Sequence, residues 1–345
     1  MPTIAKRVVG LDIDLAKIKA AEVVRKGRNR LVTRLAMQTL PSGAIVDGKV
    51  RSSSDLIQGL EALLKAADFN TDSVVLGVRS PWVTVKTHKM PAMPKRELEK
   101  AIEYELPELV SFPIPSMRDV CYDFFVNSET EQEMEVVIVA CQRKNLDPYI
   151  EVMRQVGLTL EGIDVPSFGW GDLLRDGKRR AYVEASDGQT TVQVILDGVF
   201  KVLRMVPLGM AHLREGVQEA FQCSAEQAQE LCQKHNLDYL LLEGTGSKRL
   251  LRAAVQQFTG SILQTLDFVR AQERAASFPS MLDEIVLIGD FADLEGLSEM
   301  LKRELGLNVT TLREQELRLE FQIQAPGRFN CFGSALALGL RGLEM

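Results

Sequence analysis

The sequence predicts an α/β protein: two duplicated lobes around a cleft, with a small α+β subdomain inserted in the first lobe. Three observations predict it. A grammar of strand, turn, strand, turn, strand and helix in the first 70 residues returns after residue 180, an internal repeat of about 170 residues that implies two similar lobes. The exits match as well, Leu40-Pro41-Ser42-Gly43 beside Val206-Pro207-Leu208-Gly209. Between the repeats, residues 82–165 carry their own alternation of strand and helix, punctuated by Pro91, Pro94, Pro113 and Pro115.

The elements follow in order. Val8 to Leu15, Lys17 to Val24 and Leu31 to Thr39 read as a meander, with Lys26-Gly27-Arg28-Asn29 as its second turn. Ser53, Ser54 or Asp55 caps a helix whose Leu56, Ile57, Leu60, Leu63, Leu64 and Ala67 share one face at 3.6-residue spacing. Ser73 to Val78 reads as a buried strand. The inserted unit is a strand (Val83 to Lys89), a helix (Lys95 to Val110), two strands (Val120 to Asn127, Met134 to Cys141), a helix (Leu146 to Val156) and a strand (Thr159 to Val165). In the repeat, Ala181 to Ala185, Thr190 to Leu196 and Val199 to Val206 are strands, the last two joined by Asp197-Gly198. A helix from His212 to Phe221 spaces Leu213, Val217 and Phe221 four apart. Ser224 with Gln227 is a capping-box pattern for a helix through Lys234. A long helix from Ser247 lines up Leu251, Val255, Phe258, Ile262, Leu266 and Val269. Glu284 to Ile288 is a strand, Leu294 to Leu305 a helix, and Arg328 to Leu340 a closing helix of small residues. The resulting partition is 1–81 (lobe one), 82–166 (insertion), 167–178 (connecting helix or linker), 179–209 (core of lobe two), 210–280 (its helical part) and 281–345 (its remaining core and final helix).

Composition bounds the function. A chain of 345 residues, 46% apolar and 26% charged, is ordinary for a globular protein of two domains. Its net charge of -6 and pI near 5.4 argue against general affinity for nucleic acid or anionic lipid, which need clustered Lys and Arg. Five cysteines, at 121, 141, 223, 232 and 331, form no CxxC pair and fit reduced thiols in a cytosol. No apolar stretch approaches the roughly 20 residues that span a bilayer, and Lys6-Arg7 sits inside what would be the apolar region of a signal peptide. A soluble cytoplasmic protein with no direct membrane insertion is expected.

Three corners have the layout of turns that hug a phosphate: Gly10-Leu11-Asp12-Ile13-Asp14-Leu15-Ala16, Tyr182-Val183-Glu184-Ala185-Ser186-Asp187-Gly188, and Leu287-Ile288-Gly289-Asp290-Phe291-Ala292. A nucleotide cleft needs backbone N–H groups aimed at phosphate oxygens and a carboxylate that holds a hydrated metal. Asp12 and Glu184 sit at equivalent points of the repeats and fit the second role; as turn carboxylates capping local N–H groups they fit equally. Asp14, Asp187 and Asp290 stand where glycine is expected. A carboxylate about 4 Å from a phosphate charge costs on the order of 4 kcal/mol at an effective dielectric of 20, against about 8 kcal/mol for a micromolar affinity. Loss of nucleotide binding is therefore expected, with outward-pointing side chains or a metal held by the three aspartates as the escapes.

Other candidates carry less. Gly244-Thr245-Gly246-Ser247-Lys248 lacks the ending of a P-loop and the strand that should lead into it. Cys223, Cys232 and His235 lack metal-pair spacing, and His88 and His212 have no nucleophile partner. On the insertion, Leu98, Ile102 and Leu109 with Glu97, Glu99, Glu103, Glu105 and Glu108 run into Ser111-Phe112-Pro113-Ile114-Pro115. Leu98, Ile102, Glu105, Phe112, Pro113 and Ile114 are candidates for one wall of a peptide groove; an ordinary amphipathic helix explains them too.

The order of elements, together with a series of phrases, resembles the PilM family of actin-like type IV pilus assembly proteins, relatives of the cell-division protein FtsA. The phrases are Val9-Gly10-Leu11-Asp12-Ile13 with Lys19 and Glu22; Leu40-Pro41-Ser42-Gly43-Ala44-Ile45-Val46-Asp47-Gly48; Met90-Pro91; Glu103-Tyr104-Glu105 leading to Phe112-Pro113-Ile114 and Tyr122-Asp123; Gly157-Leu158 with Ile163-Asp164-Val165; Gly296-Leu297; and Gly333-Ser334-Ala335-Leu336-Ala337-Leu338-Gly339-Leu340-Arg341-Gly342. The resemblance implies actin-like (RNase H-like) lobes and a cytoplasmic protein, peripheral to the inner membrane. It would grip the N-terminal tail of the membrane protein PilN in a groove between lobe one and the insertion, as part of the pilus platform. Contacts to other platform components or the pilus motor ATPases, and self-association, belong to the same expectation. The resemblance also implies ATP and Mg at the three turns, and there the chain departs from the pattern: Asp14 replaces a glycine, Ala16 a hydroxyl residue, Ser186 or Asp187 a glycine, and Asp290-Phe291 two glycines after Gly289, while Asp12 and Glu184 match acidic positions. The expectation is a scaffold and pseudo-ATPase without catalytic residues or cofactor. The alternatives are an ATP-binding or ATP-hydrolysing switch or filament former, and an adaptor of a type II secretion platform; a small-molecule kinase lacks a candidate base.

Overall fold

β1 (Arg7–Ile13), β2 (Lys17–Lys26) and β3 (Asn29–Thr39) form the antiparallel meander that opens lobe one. In this computed structural model, which describes residues 6–79, 81–174, 176–324 and 328–345, β1 and most of β2 are buried on both faces, so they read as near-continuous apolar runs rather than alternations. α1 (Ser53–Ala67) covers one face through Leu56, Leu60 and Leu63. Its cap is Ser52, one residue before the predicted candidates: Ser52 is the last extended residue, and its hydroxyl accepts the Asp55 N–H at 3.3 Å. β4 (Ser73–Gly77) then runs parallel to β1.

The insertion is a three-stranded antiparallel sheet of order β5-β7-β6, formed by β5 (Thr84–Pro91), β6 (Val120–Glu129) and β7 (Glu133–Gln142), with α2 (Lys95–Leu109) on one face. Side-chain alternation divides β7 between two environments. Val136, Ile138 and Ala140 pack under α2, whereas Val139 and Cys141 face lobe one.

The insertion ends earlier than residue 166. α3 (Arg143–Gln155) buries Leu146, Tyr149, Val152 and Met153 in the core of lobe one, and β8 (Thr159–Asp164) pairs parallel with β4. A parallel neighbour needs a crossover connection, and α3 supplies it. Lobe two repeats the plan. β9 (Arg180–Ala185), β10 (Thr190–Leu196) and β11 (Val199–Val206) form its antiparallel meander, and α4 (Met210–Phe221), α5 (Ala225–Lys234) and α6 (Arg249–Gln272) follow. β12 (Glu284–Ile288) runs parallel to β9; α7 (Leu297–Leu305) and β13 (Val309–Thr311) complete the lobe.

The chain then returns to its beginning. β14 (Glu320–Phe321) pairs with β3, giving lobe one the order β8-β4-β1-β2-β3-β14 beside β11-β10-β9-β12-β13 in lobe two. α8 (Gly333–Gly342), expected with lobe two, lies against β1 so closely that a Cβ on Gly10 would come within 2.0 Å of the Ala335 carbonyl oxygen. Its small residues permit that approach, and its core joins Val8, Ala21 and Val75 of lobe one to Tyr182, Val286 and Ile288 of lobe two. Among the described residues no helix is long and apolar enough to cross a membrane.

Candidate functional site

The strand ends of the two lobes meet at the cleft in equivalent register. Asp12 is next to last in β1 and Glu184 next to last in β9; Arg79 and Asp290 each stand two residues beyond the neighbouring parallel strand, β4 or β12. Arg79 joins the lobes, its guanidinium bonded to Asp12 and donating to Glu184 Oε2 at 2.6 Å. Glu184 Oε1 also accepts from the Ser334 hydroxyl at 2.8 Å, and that hydroxyl oxygen accepts the Trp170 indole N–H at 3.1 Å. A second crossing has the same polarity, a lobe-one cation on a lobe-two carboxylate: Asp290 lies 2.8 Å from Lys17 Nζ and 3.6 Å from Lys19 Nζ. Asp14 accepts from its neighbour Leu15 N–H at 2.7 Å and, across the cleft, from Asp187 N–H at 2.8 Å, while the Asp187 carboxylate pairs with Arg214 at 2.5 Å.

Five carboxylates (Asp12, Asp14, Glu184, Asp187, Asp290) are thus interleaved with four cations (Lys17, Lys19, Arg79, Arg214). Burial dominates at Asp12 and pushes its carboxyl up to about 6 against the opposing pull of Arg79. Burial works against Lys19 and Arg79 too, yet Asp290 for the first and Asp12 for the second raise them above their ordinary values. Asp290 is held below the usual carboxylate range because Lys19 and Lys17 together outweigh its burial.

These pairings change the expected repulsion between the aspartates and a phosphate. The three aspartates do gather at the cleft, but Asp187 and Asp290 are paired with cations and Asp14 accepts two backbone N–H groups, so none of them is a bare charge. Arg79, Lys17 and Arg214 were not legible as site residues. A cation just beyond the C-terminal end of a central parallel strand, where α/β folds place their ligands, is the signal that marks Arg79. Ala16 lies in the β1–β2 turn and accepts the Leu40 N–H at 2.8 Å; Ser186 is buried and donates to the Gln189 carbonyl at 3.2 Å. Gly289 donates its N–H to Asn330 at 3.0 Å. Phe291 is not a cleft residue: it is buried in the core of lobe two, its ring 4.7 Å from that of Phe258, because the turn after β12 rolls it under the sheet.

These residues do not fit a metal-bound phosphate. Asp14 already takes the Asp187 N–H, and Leu15 fills the space at Gly188, where an added Cβ would lie 2.1 Å from Leu15 Cδ1. The voids lined by Asp14, Arg79 and Gly188 and by Lys17, Arg214 and Asp290 measure about 60 and about 130 Å³, below the roughly 300–1,000 Å³ of small-molecule sites. Among the described residues no group of three or more His, Cys, Asp or Glu side chains is placed to share a metal ion.

A larger opening lies between the insertion and lobe one. It is a groove of about 350 Å³ whose walls include Val83, Cys121, Val139, Cys141, Ile150, Ile163 and Phe168. β6 is an edge strand of the insertion sheet and β8 an edge strand of lobe one, so backbone groups of both border it. The groove residues expected from the sequence lie elsewhere. Leu98 and Ile102 are fully buried on the sheet-facing side of α2, Phe112 and Ile114 pack on the same cluster, Glu105 lies 2.6 Å from His88 Nε2, and Pro113 is exposed at the corner. The correction has a simple cause: a three-stranded sheet needs its only helix as a cover, so the apolar stripe of α2 is consumed by the subdomain's own core.

A family model described as type IV pilus assembly protein PilM matches residues 10–326. The chain belongs to the PilM family. A solved PilM-PilN type IV pilus biogenesis complex contains a chain that this PilM-family member matches with a TM-score of 0.82 at 21% identity, over 98% of this chain and 99% of that one. The ethanolamine utilization protein EutJ from Carboxydothermus hydrogenoformans matches at 0.57 and 14% identity, covering 99% and 90% of the two chains. MreB5 of Spiroplasma citri, bound to AMPPNP, matches at 0.52 and 10% identity over 98% and 97%. These likenesses establish the actin-like fold of this PilM-family chain.

Proposed function

We propose that this type IV pilus assembly protein is a cytoplasmic adaptor that seats the N-terminal tail of a PilN-type inner-membrane protein in the groove between lobe one and the insertion, and that it does so without binding or hydrolysing ATP. The groove carries the reading. It is mostly apolar and bordered by two edge strands that can add a peptide strand, with main-chain bonds giving affinity and side-chain pockets specificity. The family supports a role in pilus assembly, and the PilM chain of the similar structure is complexed with PilN. Attachment to the membrane is then indirect, through the tail. The interlobe ion pairs support the second half of the proposal, since they occupy the groups a nucleotide would need.

The test is calorimetry with a synthetic peptide of that tail from the same organism. Binding to the parent chain and a loss of about a hundredfold or more in Val139→Arg, which fills the groove with a long charged side chain in place of an apolar one, is the expected result. Equal affinity of both chains overturns the site. Mg-ATP is expected to leave the melting temperature unchanged. Stabilisation of roughly 2.7 kcal/mol, the amount a ligand at 100 times its dissociation constant supplies, would overturn the nucleotide-free reading.

A further inference from the structure

The groove does not end at its apolar floor. Phe125 and Phe168 stand between it and a second cavity of about 450 Å³, placed where the insertion, lobe one and lobe two meet. Phe200 of β11 forms part of the far wall, and the three rings cluster: the Phe125 centroid is 5.5 Å from Phe168 and 6.4 Å from Phe200, and Phe168 is 5.7 Å from Phe200. Phe125 is nevertheless 39% exposed. The junction is fixed by Asn127, whose side-chain amide donates to the Phe200 carbonyl at 2.8 Å and accepts the Phe200 N–H at 2.9 Å.

Gln193 of β10 lines the same cavity. It is 1% exposed, and its Oε1 has no hydrogen-bond partner among the described residues. Native interiors rarely leave a buried acceptor unmatched. An unmatched acceptor beside an aromatic cluster calls for a donor carried on an apolar ring, and two side chains have that combination: tryptophan with its N–H and tyrosine with its O–H.

We propose that this cavity is a specificity pocket for a tryptophan or tyrosine of the tail seated in the groove, its N–H or O–H donating to Gln193 Oε1. The inference rests on the groove reading above. Phe125 and Phe168 line both cavities, and that continuity selects the same tail as occupant.

Calorimetry with the synthetic tail peptide, and with copies in which each Trp or Tyr is replaced by Leu, tests it. One replacement is expected to weaken binding to the parent chain at least tenfold. Gln193→Leu is expected to weaken the parent peptide about five- to tenfold with no fall in melting temperature, because it removes an unsatisfied acceptor. The two losses should be less than additive, the sign of a direct contact. Phe125→Ala, at an exposed position, repeats the test should Gln193→Leu fail to fold. A tail that lacks both residue types yet binds, or unchanged affinity in every variant, overturns the pocket and leaves the groove standing. A parent peptide that does not bind at all overturns the groove reading and this one with it.

Discussion

Arg79→Ala is expected to lower the free energy of unfolding by about 3–5 kcal/mol, the usual cost of removing one member of a buried ion pair. The cost arises from what stays behind. Asp12 and Glu184 are each 1% exposed and share this guanidinium. Without it two buried carboxylates confront each other, and Asp12, already pushed up by burial, has lost the charge that opposed the shift. Asp12→Asn in the Arg79→Ala background should recover part of the loss, because one of the two uncompensated charges disappears. Urea unfolding of the three chains at neutral pH measures this. A midpoint for Arg79→Ala equal to that of the parent would show that the interlobe crossing contributes nothing to stability.

The second large effect belongs to Ile102. Ile102→Ala is expected to cost about 2–5 kcal/mol, the range for truncating a fully buried aliphatic side chain, and to do so through the insertion, where Ile102 packs with Leu98, Leu106, Val136 and Ile138. Tail binding should weaken only as far as the insertion sheet loosens. Val139→Arg, on the opposite face of the same sheet, should show the reverse pattern, intact stability with lost binding. Urea melts alongside peptide titration separate the two. If Ile102→Ala left the melt unchanged and abolished binding, the groove would have to lie on the α2 side.

That reversal shows what the sequence carries and what it does not. The unbroken apolar run Val136 to Cys141 in β7 announces a sheet with two apolar faces, but the face given to α2 and the face given to lobe one are decided by packing between elements far apart in the chain. The doubled meander was legible because each copy is local: hairpin turns and a 3.6-residue helix stripe need no knowledge of the other lobe. The ionic crossings were not, since Arg79 is 105 residues from Glu184 and Lys17 is 273 from Asp290. The aspartates could be seen individually and their partners could not, so an unopposed charge was inferred where a matched one exists. The duplication supplies the missing rule. Arg79 and Asp290 occupy the same place in their lobes with opposite charge, and in both crossings lobe one supplies the cation and lobe two the carboxylate.

The return of the C-terminal residues to lobe one governs when this protein can begin to exist during synthesis. The sheet that starts at Arg7 is not finished until Glu320 and Phe321 take their place beside β3, and the face of β1 at Gly10 stays bare until α8 emerges from the ribosome. At about 5–20 residues per second the stretch from β1 to α8 takes on the order of 20–70 s to be made, and for that time lobe one is exposed to chaperones and proteases. Full-length translation is therefore a condition for the N-terminal lobe itself: a chain stopped short of residue 333 would lose the fold of its first residues rather than a dispensable tail.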